Sequence, residues 1–257
     1  MTKGTAGRRQ WRLIALDMDG TILSEGLTIS PGNLAWLRRA QAAGMMVTFA
    51  TGRLFPGFVQ RYARELELTA PVITLNGGTI WTVQGELLEA RAFTSEQLAS
   101  LRGIAATAQA DYLAYTAECA WNPSDFAVKD GPWIKCVFGC ETQDGIARLR
   151  ERLEQTRLFE VTNTHPLNIE VNPRDVSKAQ ALQTVCRRLD IDAAQVVAMG
   201  DSLNDVAMLR FAGFGVAMDN ATPAVKAVAD MVTLHHEQDG VAHAIRFLLE
   251  GRGQEDV

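Results

Sequence analysis

The sequence predicts an α/β fold: a parallel sheet flanked by helices and interrupted by a separate α+β segment. Three observations carry this. The run Leu13–Leu16 is apolar without a break and stops at Asp17, with Asp19, Gly20 and Thr21 close behind, the pattern of a strand buried on both faces of a parallel sheet. Similar runs alternate with helical patterns in both halves of the chain, which implies right-handed parallel crossovers. Between about residues 83 and 167 the order changes to α-β-β-α-β-β, which suits an antiparallel sheet with helices on one face.

Each element has its own signal. Ser30 and Pro31 form a cap-plus-proline helix start, and Leu34, Leu37 and Ala40 recur at helical spacing until Gly44. A second strand over 45–50 ends at Thr51-Gly52-Arg53. A helix over 55–68 leads to Pro71 and a third strand, 72–75, which ends at Asn76-Gly77-Gly78. Residues 80–82 and 87–92 flank a Gln84-Gly85 turn and read as a hairpin. The middle segment then offers helices over 95–109 and 142–155, with strands near 112–116, 119–121, 134–140, 159–163 and 168–171. The parallel pattern resumes with a helix over 177–189 and a strand over 196–199 that ends at Gly200-Asp201. A helix over 203–212, stopped by Gly213, a strand over 214–218, a helix start at Thr222-Pro223, a strand over 231–234 and a helix over 240–249 complete it. The expected organisation is a core of residues 1–82 and 168–257 with an inserted cap of residues 83–167. Residues 1–10 and 252–257 are expected to fray.

Composition narrows the function classes. The chain has 257 residues, 47% hydrophobic and 21% charged, an ordinary globular balance. A formal net charge of −5 argues against nucleic acid or an anionic membrane as partner, since both demand a basic face. No apolar run approaches the roughly 20 residues that span a bilayer, and MTKGTAGRRQW at the N-terminus lacks an apolar signal core; a soluble, cytoplasmic protein is expected. Cys119, Cys136, Cys140 and Cys186 lack zinc-ligand spacing, and His165, His235, His236 and His243 show no metal pattern.

The chemistry concentrates at strand ends, where open α/β sheets bind ligands. Asp17 and Asp19 close the first strand, Thr51 the second and Asp201 a much later one. Asp and Gly are also ordinary turn formers. Gly200-Asp201-Ser202-Leu203-Asn204-Asp205 adds carboxylates and an amide at one strand-to-helix turn, and hard oxygen ligands without His or Cys suit Mg²⁺. Helix N-capping explains Asp201 and Asp205 as well. Lys178 stands in the first turn of a helix, where a cation opposes the macrodipole at a cost of about 0.3–1 kcal/mol. A bound phosphate would reverse that sign; a flexible surface lysine would avoid it.

Taken in order, D-x-D-G-T from Asp17, T-G-R from Thr51, S-K at Lys178 and G-D-S-L-N-D from Gly200 make this chain similar to the haloacid dehalogenase superfamily. Asn76-Gly77-Gly78 and the position of the insertion resemble the Cof-type branch with its type IIB cap, over residues 11–250. The resemblance implies a Rossmann-like, three-layer core with strand order near 5-4-1-2-3 and an inserted α+β cap of the C2 type. It implies a phosphoric monoester hydrolase acting on a small phosphorylated metabolite, a sugar phosphate or phosphorylated cofactor. Asp17 would be the nucleophile that forms an aspartyl-phosphate, and Asp19 the general acid and base. Mg²⁺ would be held by Asp17 and Asp201, by the backbone carbonyl of Asp19, and with the support of Asp205. Thr51, Gly52 and Lys178 would hold the phosphoryl oxygens with Asn204 alongside. The alternatives are a phosphomutase of the same cap class and a non-catalytic phospholigand sensor; the joint presence of Asp17, Asp19, Lys178 and Asp201 speaks against the sensor. Three residues depart from the family pattern: Asp219, Asp175 and Ala179 stand where glycines are common. Asp219 is expected to add negative charge near the mouth, and the cap is short. Arg53, Trp121, Trp133 and Lys135 are candidates for contact with the leaving group, although both tryptophans fit a role in the cap core better.

Overall fold

The structure, a computed structural model, describes residues 11–108, 110–129 and 131–251. The ends expected to fray and the predicted helix end at 109 lie outside the described residues. The first stretch runs β1 (Leu13–Leu16), α1 (Pro31–Ala42), β2 (Met46–Phe49), α2 (Gln60–Glu65), β3 (Val72–Thr74), β4 (Thr79–Trp81) and β5 (Leu87–Ala90). The middle stretch is α3 (Ser95–Thr107), β6 (Asp111–Tyr115), β7 (Ala120–Trp121), α4 (Pro123–Val128), β8 (Lys135–Gly139), α5 (Gln143–Thr156), β9 (Phe159–Thr162) and β10 (Asn168–Pro173). The last is α6 (Lys178–Leu189), β11 (Val196–Gly200), α7 (Val206–Phe211), β12 (Phe214–Ala217), α8 (Pro223–Lys226), β13 (Met231–Val232) and α9 (Gly240–Glu250).

β1 is the centre of the parallel sheet, whose order is β13-β12-β11-β1-β2. Leu13 stands opposite both Met46 and Val196. A parallel bridge between Ala50 and Ile73, with Thr51 N donating to Ile73 O at 3.0 Å, sets β3 beside β2. The resulting sequence β12-β11-β1-β2-β3 is the strand order expected, with β13 added at the far edge. Because side chains alternate along a strand, Ile14 and Leu16 pack with Val47, Phe49, Val197 and Met199, while Leu13 and Ala15 pack on the opposite face with Leu182, Val185 and Val196. Both faces are covered, and three layers result.

Local sequence sets the ends of the helices. Ser30 accepts from Asn33 N at 3.0 Å to start α1, and Asn33 in turn accepts from Ala242 N at 2.8 Å, which ties α1 to α9. The helix expected over 55–68 is shorter than its apolar spacing suggests. Pro56 (ψ 136°) and Gly57 (φ 85°) turn the chain irregularly over 55–59, so regular helix begins at Gln60. A proline without an N–H followed by a glycine at positive φ cannot propagate helical hydrogen bonds.

The second sheet is antiparallel, in the order β7-β6-β8-β10-β9. Its core holds Leu101, Phe126, Trp133, Phe138, Leu153, Ile169 and Val171. Trp133 lies 5.2 Å from the Phe126 ring, so it is cap core and not a wall for a leaving group. The hairpin β4–β5 pairs with β3 in a separate three-stranded sheet. Residues 168–173, which close the α-β-β-α-β-β pattern of the sequence but fall beyond the cap bound at 167, form β10 and pair with β8 on one side and β9 on the other, with Ile169 and Val171 buried in the antiparallel layer.

The loop after β3 is tightly wound: Leu75, Asn76 and Gly77 take φ values of 51°, 58° and 97°. A Cβ on Gly77 would overlap the carbonyl of Ser177, the residue that caps α6. Left-handed backbone and close approach both require glycine here. Gly77→Ala is expected to lower the unfolding free energy by about 2–4 kcal/mol, read from the urea midpoint of the intact chain.

Candidate active site

The carboxyl ends of β1, β2 and β11 converge on one polar cluster. Asp17 continues the ladder, its N–H donating to Met199 O at 3.0 Å, and is almost fully buried. Lys178 opens α6 behind the cap of Ser177, and its ammonium donates to Asp17 Oδ1 at 2.6 Å and to Asp205 Oδ1 at 2.7 Å. Its side chain is wholly enclosed, so it is not a surface lysine. Asp205 serves two purposes at once: one oxygen takes Lys178, and the other accepts from the N–H groups of Asp201 (3.1 Å) and Ser202 (3.0 Å). Turn capping and charge neutralisation therefore coexist on one carboxylate.

Asp17, Asp201 and Asp205 each bring an oxygen within 4.8 Å of the others. Asp201 accepts from Ser202 Oγ at 3.0 Å and from Asn220 Nδ2 at 3.2 Å, and the same amide nitrogen donates to Gly20 O at 2.8 Å. Sequence reasoning missed Asn220; its one signal was a place just after β12, beside Asp219. Burial, followed by the charges of Asp205 and Asp201, drives the Asp17 carboxyl well above its usual range despite the opposing pull of Lys178. Burial and then Asp205 push Asp201 up to about 6. Burial would lower the Lys178 ammonium, but the two carboxylates outweigh it and hold the group above its ordinary value. Three clustered carboxylates with one lysine leave an excess of buried negative charge, and hard oxygen donors of this kind fit a small divalent cation.

Asp19 stands apart from that cluster. Its carboxylate forms a two-point pair with Arg53, at 2.7 Å to Nε and 2.5 Å to Nη2, and Arg53 lies 4.4 Å above the Phe58 ring. Thr51 is buried and its Oγ1 accepts from Arg53 N at 3.2 Å. Gly52 O accepts from Lys135 Nζ at 3.0 Å. Asn204 donates to Asn76 Oδ1 at 3.2 Å, while its own buried Oδ1 has no partner. A cavity of about 610 Å³ brings Asp17, Asp19, Gly52, Arg53, Asp201 and Asn204 together on one side. Phe58, Tyr115, Lys135, Val137 and Glu170 line it as well. Neither Trp121 nor Trp133 reaches it. Asp219, expected near the mouth, does not line the cavity; its carboxylate pairs with Lys226 of α8 at 2.8 Å on the surface. Glu170 was invisible in the sequence, where a lone acid in an apolar strand reads as a solvent-facing position.

The family model for haloacid dehalogenase-like hydrolases matches residues 14–131 and, overlapping these, 118–245. The chain belongs to this family. Among curated relatives it is 37% identical to the 5-amino-6-(5-phospho-D-ribitylamino)uracil phosphatase YcsE of Bacillus subtilis, over 91% of this chain and 94% of the relative. A solved haloacid dehalogenase-like hydrolase from B. subtilis superposes with a TM-score of 0.83 at 26% identity, covering 93% of this chain and all of the other. A subclass IIB sugar phosphatase at 21% identity shares the fold, with a TM-score of 0.80 over 91% of this chain and 98% of that one. As a haloacid dehalogenase-like hydrolase of the Cof type, the chain is a phosphoric monoester hydrolase. Among the described residues no helix is long and apolar enough to cross a membrane.

The raised pKa of Asp201 sets a pH dependence. A carboxyl whose folded-state pKa exceeds its unfolded value binds more protons when folded, so its contribution favours folding at low pH and is lost as pH rises towards about 6. In metal-free buffer, Asp201→Asn is therefore expected to lose less stability than the wild type between pH 4 and pH 6.5, measured by urea unfolding at each pH.

Proposed function

We propose that this chain hydrolyses phosphate monoesters of small, polyhydroxylated metabolites, with Asp17 as the nucleophile. The observation that carries the reading is the enclosed Lys178 ammonium shared by Asp17 and Asp205, at the strand ends that floor the cavity. In the first half-reaction a carboxylate oxygen of Asp17 bonds to phosphorus, the ester P–O bond breaks, and Asp19 gives its proton to the departing alkoxide. Asp19 then takes a proton from water, the water oxygen bonds to phosphorus, and the bond to Asp17 breaks to release inorganic phosphate. The Thr51 hydroxyl, the Gly52 N–H and Lys178 take the equatorial oxygens, with Asn204 in the adjoining wall. Phosphoryl transfer asks chiefly for this kind of positioning and charge neutralisation.

The carboxylates of Asp17 and Asp201 and the Asp19 backbone carbonyl would hold Mg²⁺, with Asp205 supporting from behind. Bound there, the ion supplies the positive charge that lets a carboxylate approach a phosphate dianion. Arg53 has a second task. Its two-point grip orients the Asp19 carboxylate at the cavity wall. A phosphate dianion entering beside it competes for the guanidinium and releases the Asp19 carboxylate from that grip.

The antiparallel unit acts as the cap. We take its extent as nearer 92–174 than 83–167, a reading supported by three hydrogen bonds: Arg91 N still donates to Gly78 O, whereas Phe93 N donates to Trp133 O and Arg174 N to Leu158 O. Phe58, Tyr115 and Val137 add apolar surface to the charged lining of the cavity, a combination suited to a flat ring or a carbon chain whose far end carries phosphate. The reaction named for YcsE, on a phosphorylated ribitylaminouracil, is the leading candidate within that class.

A panel of phosphomonoesters that includes this compound, sugar phosphates and an aryl phosphate tests the proposal through release of inorganic phosphate. Wild type with Mg²⁺ is expected to release it without an added bisphosphate activator, and chelation is expected to stop release reversibly. Asp17→Asn should fold and release none. Turnover by Asp17→Asn at the wild-type rate would sink the assignment of the nucleophile.

A further inference from the structure

One buried cation carries the cap into the phosphate side of the cavity. Lys135, the first residue of β8, is almost completely enclosed. Its ammonium lies 3.1 Å from Glu170 Oε2 and donates to Gly52 O at 3.0 Å. Glu170 Oε2 also accepts from Asn76 Nδ2 at 2.5 Å, and Asn76 Oδ1 accepts from Asn204 Nδ2 at 3.2 Å. A continuous polar chain thus runs from two cap strands, through the loop after β3, to the loop after β11. Asn172 of β10 adds a second tie, donating to Leu75 O at 3.0 Å and Ile134 O at 3.2 Å.

What the cation grips is the Gly52–Arg53 peptide. Its carbonyl takes Lys135, and its N–H donates to Thr51 Oγ1 at 3.2 Å. A charge on the carbonyl polarises the amide and strengthens that donation in a low-dielectric wall. With its oxygen occupied as an acceptor, the Thr51 hydroxyl keeps its proton for another acceptor. Gly52 supplies an independent observation: a Cβ there would lie 3.0 Å from Asn76 Oδ1 and 3.2 Å from Lys135 Nζ. The absence of a side chain is what lets the network close on the backbone.

We propose that Lys135 is a positioning residue: the cap ammonium fixes the Gly52–Arg53 peptide and through it the Thr51 hydroxyl, so the phosphate grip of the core is completed by the docked cap. This rests on the phosphatase reading. It differs from the leaving-group contact expected of Lys135, because here the ammonium acts on the Gly52 carbonyl, with Glu170 as its counter-ion, and not on the substrate.

The test uses the full chain with Mg²⁺ and two variants, Lys135→Met and Lys135→Met/Glu170→Gln; the second removes the cation without leaving a buried carboxylate alone. The readout is inhibition of para-nitrophenyl phosphate hydrolysis by inorganic phosphate, which has no leaving group. Both variants are expected to bind phosphate about tenfold more weakly, the size of one lost charge-assisted hydrogen bond. Gly52→Ala, with Lys135 intact, is expected to weaken it too by displacing the network. Unchanged phosphate inhibition in the double variant, with loss confined to metabolite esters, would overturn the proposal in favour of a leaving-group contact. Lowered thermal stability with an unchanged inhibition constant would overturn it in favour of a purely structural tie. Wild type that neither hydrolyses esters nor binds phosphate would instead remove the phosphatase reading, and this proposal with it.

Discussion

A single ammonium, sealed from water between Asp17 and Asp205, fixes how the strand ends of this enzyme meet. Lys178 opens α6, where its charge opposes the helix dipole by up to about 1 kcal/mol, and two carboxylates at 2.6 and 2.7 Å reverse that balance. Removing one member of such a buried set typically costs about 3–5 kcal/mol, because the remaining charge is left unpaired. Yet the lysine neutralises only part of the cluster. Burial first, and then the residual negative charge, raise Asp17 and Asp201, so the same arrangement that anchors α6 also leaves an electrostatic demand that a cation can meet.

The backbone around this pair is shaped so that the elements can approach. Gly77 lets the loop after β3 lie against the carbonyl of Ser177, immediately before Lys178. Gly20, at φ 72°, leaves room for the Asp201 carboxylate and turns its own carbonyl to Asn220. These contacts depend on all strands of the core sheet running one way, which delivers Asp17, Thr51 and Asp201 to a common edge. Sheet polarity thus does the gathering, and the glycines set the final distances.

How much of this could be read from sequence depends on whether the signal is local. β1 was legible because its apolar run ends abruptly at Asp17, and the four ordered motifs announced both the core and most of the charged floor. The late start of α2 was hidden because apolar spacing continues through Pro56 and Gly57, so the two breakers had to be weighed against periodicity. β10 was legible as the last strand of the middle segment, but a short apolar strand does not mark by itself where one unit ends, so a bound at 167 cut it off from its own sheet. Glu170 and Lys135 are 35 positions apart, and the β8–β10 pairing, which sets Glu170 opposite Val137, is what brings them together. Asp219 was misplaced because Lys226, seven residues on, draws it to the surface.

The two cations nearest the DxD motif differ in how readily they can change partners. Lys178 has no exposed side-chain surface, and any exchange would strand a carboxylate in a medium that solvates it poorly. Arg53 is 30% exposed and its partner Asp19 is 48% exposed, so water can replace either group at a cost of about 1 kcal/mol. A doubly charged phosphate entering the cavity therefore has one cation it can recruit cheaply and one that stays fixed. The rearrangement that accompanies binding should fall on Asp19 and leave Asp17 in place. That division follows from burial alone: the enclosed pair is held still, and the partly exposed pair is able to exchange partners.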